Sequence, residues 1–165
     1  MPTKVCVSRF RRVGRPFEIY HRLLSLHRYE KAPDVESILV KVDLAAICGS
    51  DLHIDIASGR RSAPTPCILG NEAVGRIAQF LPDSIKPLAT DYHGNPLQVD
   101  DRVTWSIAAS RNQCDFCTGC DLLQKCDWLF KYGHAKSTAN SLGHLNGGFA
   151  DYHLPQSGNC HFPFT

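Results

Sequence analysis

Residues 38–53 read ILVKVDLAAICGSDLH, an alternating apolar run that ends at a cysteine followed by glycine and serine. Alternation with a period of two puts successive side chains on opposite faces of a strand. We therefore expect a half-buried strand over 38–47 that opens into a loop carrying Cys48. Glycine and serine are common turn residues, and their position supports this boundary.

Three other alternating runs predict further strands, at 73–80, 102–107 and 149–154. Each run lies next to glycine, proline or aspartate residues that favour turns. Short strands separated by such turns indicate a mainly β architecture, either a barrel or a sandwich.

The beginning of the chain gives two weaker signals. Residues 1–17 carry five basic side chains and no apolar leader segment, which predicts a basic strand and turn. Contact of these arginines with phosphates is an alternative, and a solvated strand edge is the simpler interpretation. Residues 19–29 place Ile19, Leu23 and Leu26 at helical spacing, which predicts a short helix.

The composition is that of one globular domain covering residues 1–165. Hydrophobic residues make up 43% and charged residues 21%, and no apolar run approaches the ~18 residues of a membrane span. A formal net charge of +2 argues against a general electrostatic attraction to nucleic acid. Because no secretory signal is evident, we expect a cytoplasmic protein with reduced cysteines.

The CGSDLH segment contains the parts needed to activate an alcohol. Cys48 offers a soft thiolate that suits zinc. Ser50 can lie beside a metal-bound alcohol, and His53 can pass the alcohol proton to solvent. A buried cysteine and an exposed loop histidine are the alternative interpretation of the same spacing.

A second group of candidate functional residues, a cluster of cysteines, lies in the second half of the chain. Four of the eight cysteines fall within residues 114–126. This crowding favours a metal site over disulfides in a chain without a secretory signal.

Five motifs in order resemble the zinc-dependent alcohol dehydrogenases of the medium-chain dehydrogenase/reductase superfamily. They are CGSDLH at 48–53, GNEAVG at 70–75, DDRV at 100–103, a cysteine lobe at about 111–134 and GGFADY at 147–152. The resemblance is collinear from about Arg15 to Leu154. Within the family, the chain is most similar to the branch called phosphonate-catabolism-associated alcohol dehydrogenases.

The resemblance implies a GroES-like β-barrel with short helices and a zinc-binding cysteine lobe. Cys48 and Glu72 match positions at the catalytic zinc, and Ser50 and His53 match a proton relay. The family continues into a Rossmann domain that binds NAD(P), whereas this sequence contains no Gly-x-Gly-x-x-Gly fingerprint. We expect the Rossmann domain to be absent and the chain to be inactive unless a separate nucleotide-binding domain supplies NAD(P).

Two departures concern the zinc ligands that the resemblance implies. Asn71 stands where the family has histidine, and a neutral amide oxygen is a poorer zinc ligand than imidazole. We therefore expect weak or absent catalytic zinc. In the lobe, Arg111 stands at the first cysteine position of the family pattern.

A further cysteine in the lobe restores a set of four sulfurs with the pattern Cys-x2-Cys-x2-Cys-x5-Cys. Its members are Cys114, Cys117, Cys120 and Cys126. Tetrahedral zinc needs four donors, and short Cys-x2-Cys turns supply them in pairs. We expect a structural zinc in this shifted register, with a degenerate loop of free thiols as the alternative.

These features leave three functional hypotheses. The first is the catalytic part of an oxidoreductase that converts an alcohol to an aldehyde or ketone with NAD(P). The second is a non-catalytic zinc-binding or partner-binding domain derived from the same family. The third, a zinc finger for nucleic acid, is disfavoured by the cysteine spacing and the few basic residues nearby.

The expected partners follow from the resemblance as well. In the family, one face of the barrel packs on the Rossmann domain, and here that face would be bare. We expect self-association or a Rossmann-domain partner through this face, because large exposed apolar patches usually mark protein–protein interaction sites. We expect neither a nucleic acid nor a membrane as partner.

Overall fold

A computed structural model shows a mainly β fold, which confirms the predicted fold class. The structure describes residues 3–12, 14–24, 37–55, 64–81, 89–91, 94–110, 114–120, 122–127, 129–135, 137–139, 145–155 and 160–161. Within these ranges, no helix combines the length and the apolar character that crossing a bilayer requires. The single-domain bounds of 1–165 stay a prediction.

The described part of the chain contains nine strands, two short α-helices and one 3-10 helix. In chain order they are β1 (Thr3–Arg9), β2 (Glu18–Leu24), β3 (Ser37–Ala46), α1 (Gly49–Asp55), β4 (Glu72–Leu81), β5 (Arg102–Trp105), β6 (Ala108–Ala109), α2 (Asp115–Thr118), a 3-10 helix (Leu123–Lys125), β7 (Phe130–Lys131), β8 (Tyr152–His153) and β9 (Cys160–His161).

An antiparallel sheet of five strands in the order β8-β3-β4-β5-β9 forms the scaffold. β1 and β2 form a separate hairpin, and β6 pairs with β7. In the long β3–β4 pair, Gly75 lies opposite Val42, and a Cβ atom there would be 2.2 Å from the carbonyl oxygen of Lys41. Only glycine fits where these two backbones approach each other.

Two of the four predicted strands are confirmed over nearly their whole length. The 38–47 run forms β3, and the 73–80 run lies within β4. The 102–107 run is shorter than predicted, because β5 ends at Trp105. The chain bends there, and β6 begins at Ala108 to pair with β7.

The two ends of the chain complete the scaffold. The basic strand expected at the N-terminus is confirmed as β1. The 149–154 run contributes only the short β8, and Ala150 before it forms an isolated bridge with Val7 of β1. β8 pairs with β3, and β9 pairs with β5, so both edges of the sheet come from late in the sequence.

The helix predicted over 19–29 is wrong for its first part, and residues 25–29 lie outside the described residues. Residues 18–24 form β2, which pairs with β1 in continuous antiparallel register. Ile19 and Leu23, whose spacing suggested a helix, are 74% and 64% exposed. Their apolar character therefore marks no buried helical face, and pairing with a distant strand overrides the local pattern.

Three aromatic rings meet in the core, with His153 stacked on Trp105 and in edge-to-face contact with Tyr132. Trp105 and Tyr132 belong to a buried cluster with the inward side chains of β3, β4 and β5. The imidazole of His153 lies between them, with ring centroids 4.4 Å from Trp105 and 4.8 Å from Tyr132. His153 is fully buried, and this burial lowers its pKa to about 3.

The buried histidine predicts a specific loss of stability in mild acid. An unfolded chain protonates this side chain near pH 6.5 while the folded protein keeps it neutral to about pH 3. The unfolded state then binds one more proton, so the free energy of unfolding should fall by about 1.4 kcal/mol per pH unit as the pH drops below 6.5. Chemical denaturation between about pH 7.5 and about pH 5 measures this slope.

A matched pair of variants isolates the contribution of His153. His153→Phe keeps an aromatic ring next to Trp105 and Tyr132 but cannot bind a proton. Its free energy of unfolding should therefore fall less steeply with decreasing pH, by about 1.4 kcal/mol per pH unit. His21→Gln removes an exposed histidine of β2 and should leave the slope as in the unchanged protein. Equal slopes for His153→Phe and the unchanged protein would contradict the assignment.

Candidate functional site

The loop that carries Cys48 is held in place by one buried carboxylate. Asp51 is only 3% exposed, and its Oδ2 accepts a hydrogen bond of 2.9 Å from the backbone N–H of Cys48. Its Oδ1 accepts a second, of 3.2 Å, from the backbone N–H of Gly70. Asp51 thereby ties the start of α1 to the segment that leads into β4.

This tie brings Cys48 into contact with Asn71. The Cys48 Sγ lies 3.3 Å from the Asn71 Oδ1, and the thiol donates to that oxygen. The backbone N–H of Ser50 donates to the same sulfur at 3.3 Å. Asn71 is 1% exposed, and its Nδ2 has no hydrogen-bond partner among the described residues.

The other residues predicted for this site lie around the pair. Ser50 and His53 both belong to α1 and are three positions apart, which makes them neighbours on a helix surface. Ser50 is half-buried and His53 is exposed to solvent. Glu72, the first residue of β4, is exposed. The roles assigned to these residues stay predictions.

The donor set here does not fit the catalytic zinc that the resemblance implies. Zinc prefers thiolate, imidazole and carboxylate ligands, and the residue facing Cys48 offers an amide. No group of three or more cysteine, histidine or carboxylate ligand atoms includes Cys48 in the described part of the chain. We therefore derive no reaction step through zinc at this position.

The cysteine lobe presents a different geometry. The Sγ atoms of Cys114, Cys117 and Cys126 all lie within 4.8 Å of one another, and those of Cys114 and Cys117 are 3.3 Å apart. Cys114 immediately precedes α2, whose first turn folds Cys117 back through a 2.9 Å backbone hydrogen bond to the Cys114 carbonyl. Cys126 follows the 3-10 helix and closes the group.

Local hydrogen bonds favour the thiolate form of one of these cysteines, which is the form that binds a metal. The backbone N–H of Asp127 donates to the Cys114 sulfur, and together with the Cys117 thiol it lowers the pKa of Cys114 to about 7. A thiol must lose its proton to bind zinc, and a lower pKa makes that loss easier near neutral pH. Three converging sulfurs with such support fit zinc.

The structure brings together three of the four cysteines that the sequence pattern assigned to the lobe. Cys120 is exposed and is not a member of the group. Its backbone N–H bonds to the Asp115 carbonyl oxygen at 3.2 Å, which places it just past the end of α2. Arg111 lies outside the described residues. The fourth ligand therefore stays a prediction.

Sequence reasoning missed the part played by Asp51. The residue stood in the CGSDLH motif, but the spacing of its neighbours suggested only a metal ligand and a proton relay. A signal was present, since a side chain that can accept hydrogen bonds at the third position of a helix commonly accepts one from the backbone N–H of the residue just before the helix.

Comparisons with known proteins relate this sequence to one family of domains. The family model for the alcohol dehydrogenase GroES-like domain matches residues 34–162. 5-exo-hydroxycamphor dehydrogenase of Pseudomonas putida is 35% identical over 124 residues, which are 71% of this chain and 32% of that protein. D-arabinitol dehydrogenase 1 of Uromyces fabae is 32% identical over 120 residues, 72% of this chain and 28% of its own length. The chain thus spans about a third of the length of these curated relatives.

Solved structures show the same fold. An alcohol dehydrogenase of Thermotoga maritima superimposes with a TM-score of 0.75 at 22% identity, over 96% of this chain and 40% of its own. L-idonate 5-dehydrogenase of Escherichia coli superimposes with a TM-score of 0.67 at 20% identity, over 100% of this chain and 41% of its own.

Replacement of the amide by an imidazole should create a metal site beside Cys48. We expect Asn71→His to increase the zinc content by about one equivalent per chain, because a thiolate and an imidazole form a favourable zinc pair. Elemental mass spectrometry of the purified protein measures the change. Asn71→Gln keeps an amide and should gain nothing, and Cys48→Ser in the Asn71→His background should remove the gain. An unchanged zinc content would contradict the proposed geometry.

Proposed function

Because this chain belongs to the family of alcohol dehydrogenase GroES-like domains, we propose that it is the catalytic-domain part of a zinc-dependent alcohol dehydrogenase. The reaction of zinc-dependent alcohol dehydrogenases is the interconversion of an alcohol with an aldehyde or ketone, using NAD(P), and we expect this domain to support it only when residue 71 can bind zinc. The chain alone performs no turnover, because a hydride acceptor must be held against the substrate by a nucleotide-binding domain. A cytoplasmic location goes with this proposal.

The contact between residues 48 and 71 carries the proposal. They are separated by 23 positions, yet the Cys48 Sγ and the Asn71 Oδ1 lie 3.3 Å apart. The two backbone hydrogen bonds that buried Asp51 accepts, from Cys48 and Gly70, hold the two segments together. The proximity of these two positions, with Ser50 and His53 on the adjacent helix, supports the proposal of a site that binds an alcohol.

Two side chains supply the proton path in this proposal. Alcohol oxidation releases one proton while a hydride leaves to the nicotinamide. Half-buried Ser50 takes the position next to the alcohol, and exposed His53, one helical turn on, exchanges its proton with solvent. The amide of Asn71 faces the thiol at the centre of the site, and this explains why we expect the present chain to lack the metal chemistry of the family.

Zinc in the cysteine lobe is the second part of the proposal. Cys114, Cys117 and Cys126 hold the ion, and the regular structure described between residues 108 and 131 consists of two short helices and the two-residue strands β6 and β7. Zinc in such a place supplies folding free energy rather than chemistry. Cys120 is proposed as the fourth donor, since it is exposed and lies beside the group in the sequence.

A non-catalytic zinc-binding or partner-binding domain is the second candidate function. The observation that favours it is Asn71, whose amide takes the place of the expected imidazole. Leu44, Ile47 and Leu52, which flank Cys48 in the sequence, are 68%, 72% and 44% exposed. We propose that this surface contacts a nucleotide-binding domain or a second copy of the chain.

Metal analysis tests the lobe. The unchanged protein should contain about one zinc per chain, and Cys114→Ser, Cys117→Ser and Cys126→Ser should each lose it because each removes a ligand. Cys6→Ser, which alters a half-buried strand cysteine away from the lobe, is the matched control and should keep its zinc. Cys120→Ser should weaken zinc binding; an unchanged affinity would mean that the fourth donor is another group.

A chimera separates the two candidate functions. This chain replaces the corresponding domain of 5-exo-hydroxycamphor dehydrogenase, and reduction of NAD⁺ or NADP⁺ by a panel of alcohols is followed by absorbance. We expect no turnover with Asn71, turnover with Asn71→His, and none when Cys48→Ser is added to Asn71→His. The chain alone should be inactive in all three forms.

Each outcome of the chimera experiment has a clear meaning. A folded, zinc-loaded Asn71→His chimera without activity would support the non-catalytic alternative. Turnover that survives Cys48→Ser would show that the reacting centre lies elsewhere in the protein.

A further inference from the structure

A cleft of about 650 Å³ lies on the side of the β1–β2 hairpin where the chain turns from one strand to the next. One wall is the hairpin connection, which contributes Arg12, Arg15 and Phe17. The facing wall is the segment at Thr65 and Pro66. We call it the arginine cleft. Among the residues that the structure describes, none of those lining the cleft belongs to the Cys48 loop or to the cysteine lobe.

The carboxylate that lines the arginine cleft is already engaged. Glu18 Oε1 pairs with the Arg11 Nε at 2.7 Å, and Glu18 Oε2 pairs with the guanidinium of Arg9. These hydrogen bonds hold the pKa of Glu18 below its ordinary value, so the carboxylate stays ionised and both of its oxygens stay occupied. Glu18 is therefore a poor counter-ion for any further arginine.

Two arginines of the cleft remain without a counter-charge in the described part of the chain. No carboxylate there forms an ion pair with Arg12 or Arg15, and both side chains are exposed at the mouth of the cleft. Both arginines line the same cleft, so their positive charges favour an anion bound there.

Backbone hydrogen bonds fix the two walls to each other. Phe10, at the end of the hairpin wall, exchanges two backbone hydrogen bonds of 2.8 and 2.9 Å with Cys67, at the end of the facing wall. The Pro66 carbonyl oxygen accepts a 2.7 Å bond from the backbone N–H of Thr138. A cleft whose walls are already ordered costs a ligand little conformational entropy.

The cleft also offers an apolar surface beside its charges. The ring of Phe17 packs against those of Phe10 and Phe149, with centroids 5.9 and 6.3 Å away, so its position is fixed. Pro16 and Pro66 add rigid apolar surface. Isolated surface arginines lack such walls, and a small-molecule site characteristically combines apolar walls with a few charged groups.

We propose that the arginine cleft binds a phosphate monoester with a small apolar body. A phosphate monoester carries a charge near −2 at neutral pH, which matches the two arginines that lack a counter-charge. The planar guanidinium fork of arginine binds phosphate oxygens in pairs. The apolar body lies along Phe17 and the two prolines. A volume of about 650 Å³ leaves ample room for such a ligand.

Phenyl phosphate is the probe for this site, and isothermal titration calorimetry at low ionic strength is the measurement. The unchanged protein should bind phenyl phosphate at least about tenfold more tightly than benzoate, because benzoate has one charge and fewer oxygens. Inorganic phosphate should bind more weakly than phenyl phosphate, because it lacks the apolar body.

Paired variants test the assignment to these arginines. Arg12→Gln with Arg15→Gln should weaken phenyl phosphate binding at least about tenfold. Lys4→Gln with Lys41→Gln removes the same charge from exposed positions outside the cleft and should change the affinity by less than about twofold. Equal losses in both double variants, equal affinity for benzoate, or no binding to the unchanged protein would each overturn the proposal.

A footprint on the unchanged protein gives a second readout that needs no variant. Phenylglyoxal modifies accessible arginines, and phenyl phosphate should protect Arg12 and Arg15 while leaving Arg102 on β5 reactive. Peptide mass spectrometry locates the modified residues. Protection of Arg102 to the same extent, or no protection of Arg12 and Arg15, would overturn the proposal.

Discussion

The carboxylate of Asp51 is the constraint on which the candidate site depends. It accepts hydrogen bonds from two backbone N–H groups, those of Cys48 and Gly70, which belong to segments on either side of a stretch that the structure does not describe. Buried carboxylates are costly unless they are satisfied, and two donors compensate Asp51. Because both segments are fixed to this one side chain, Cys48 and Asn71 face each other at contact distance.

The two cysteine-containing sites differ in how well their donor atoms are arranged to bind a metal. In the lobe, Cys114, Cys117 and Cys126 still converge, and backbone donors favour the thiolate form of Cys114. At Cys48, a thiol–amide hydrogen bond occupies the centre. A metal that stabilises a loop acts through the fold, whereas a metal that polarises a substrate acts through the reaction, so one can persist without the other.

The sequence predicted the central strands well and the periphery poorly, for a physical reason. β3 and β4 are long, half-buried and alternating, so their pattern reports their environment. The spacing of Ile19 and Leu23 in β2 is helical by chance, because both side chains are exposed, and only pairing with β1 reveals the strand. The motif resemblance pointed to Cys48 and residue 71, but their contact depends on Asp51, whose hydrogen bond to the distant Gly70 cannot be read from local spacing. The lobe pattern named four cysteines because spacing cannot show which sulfurs converge.

The strand order has a consequence for how the protein is made. The edges β8 and β9 pair with β3 and β5 only after residues 152–161 have been synthesised, and each begins more than 50 positions after the end of its partner strand. Until then, a growing chain on the ribosome displays unpaired strand edges, which can pair with other chains. Sheets that join distant parts of a sequence also form slowly. Chaperone capture during translation and a strong sensitivity of yield to expression temperature are therefore expected of this topology.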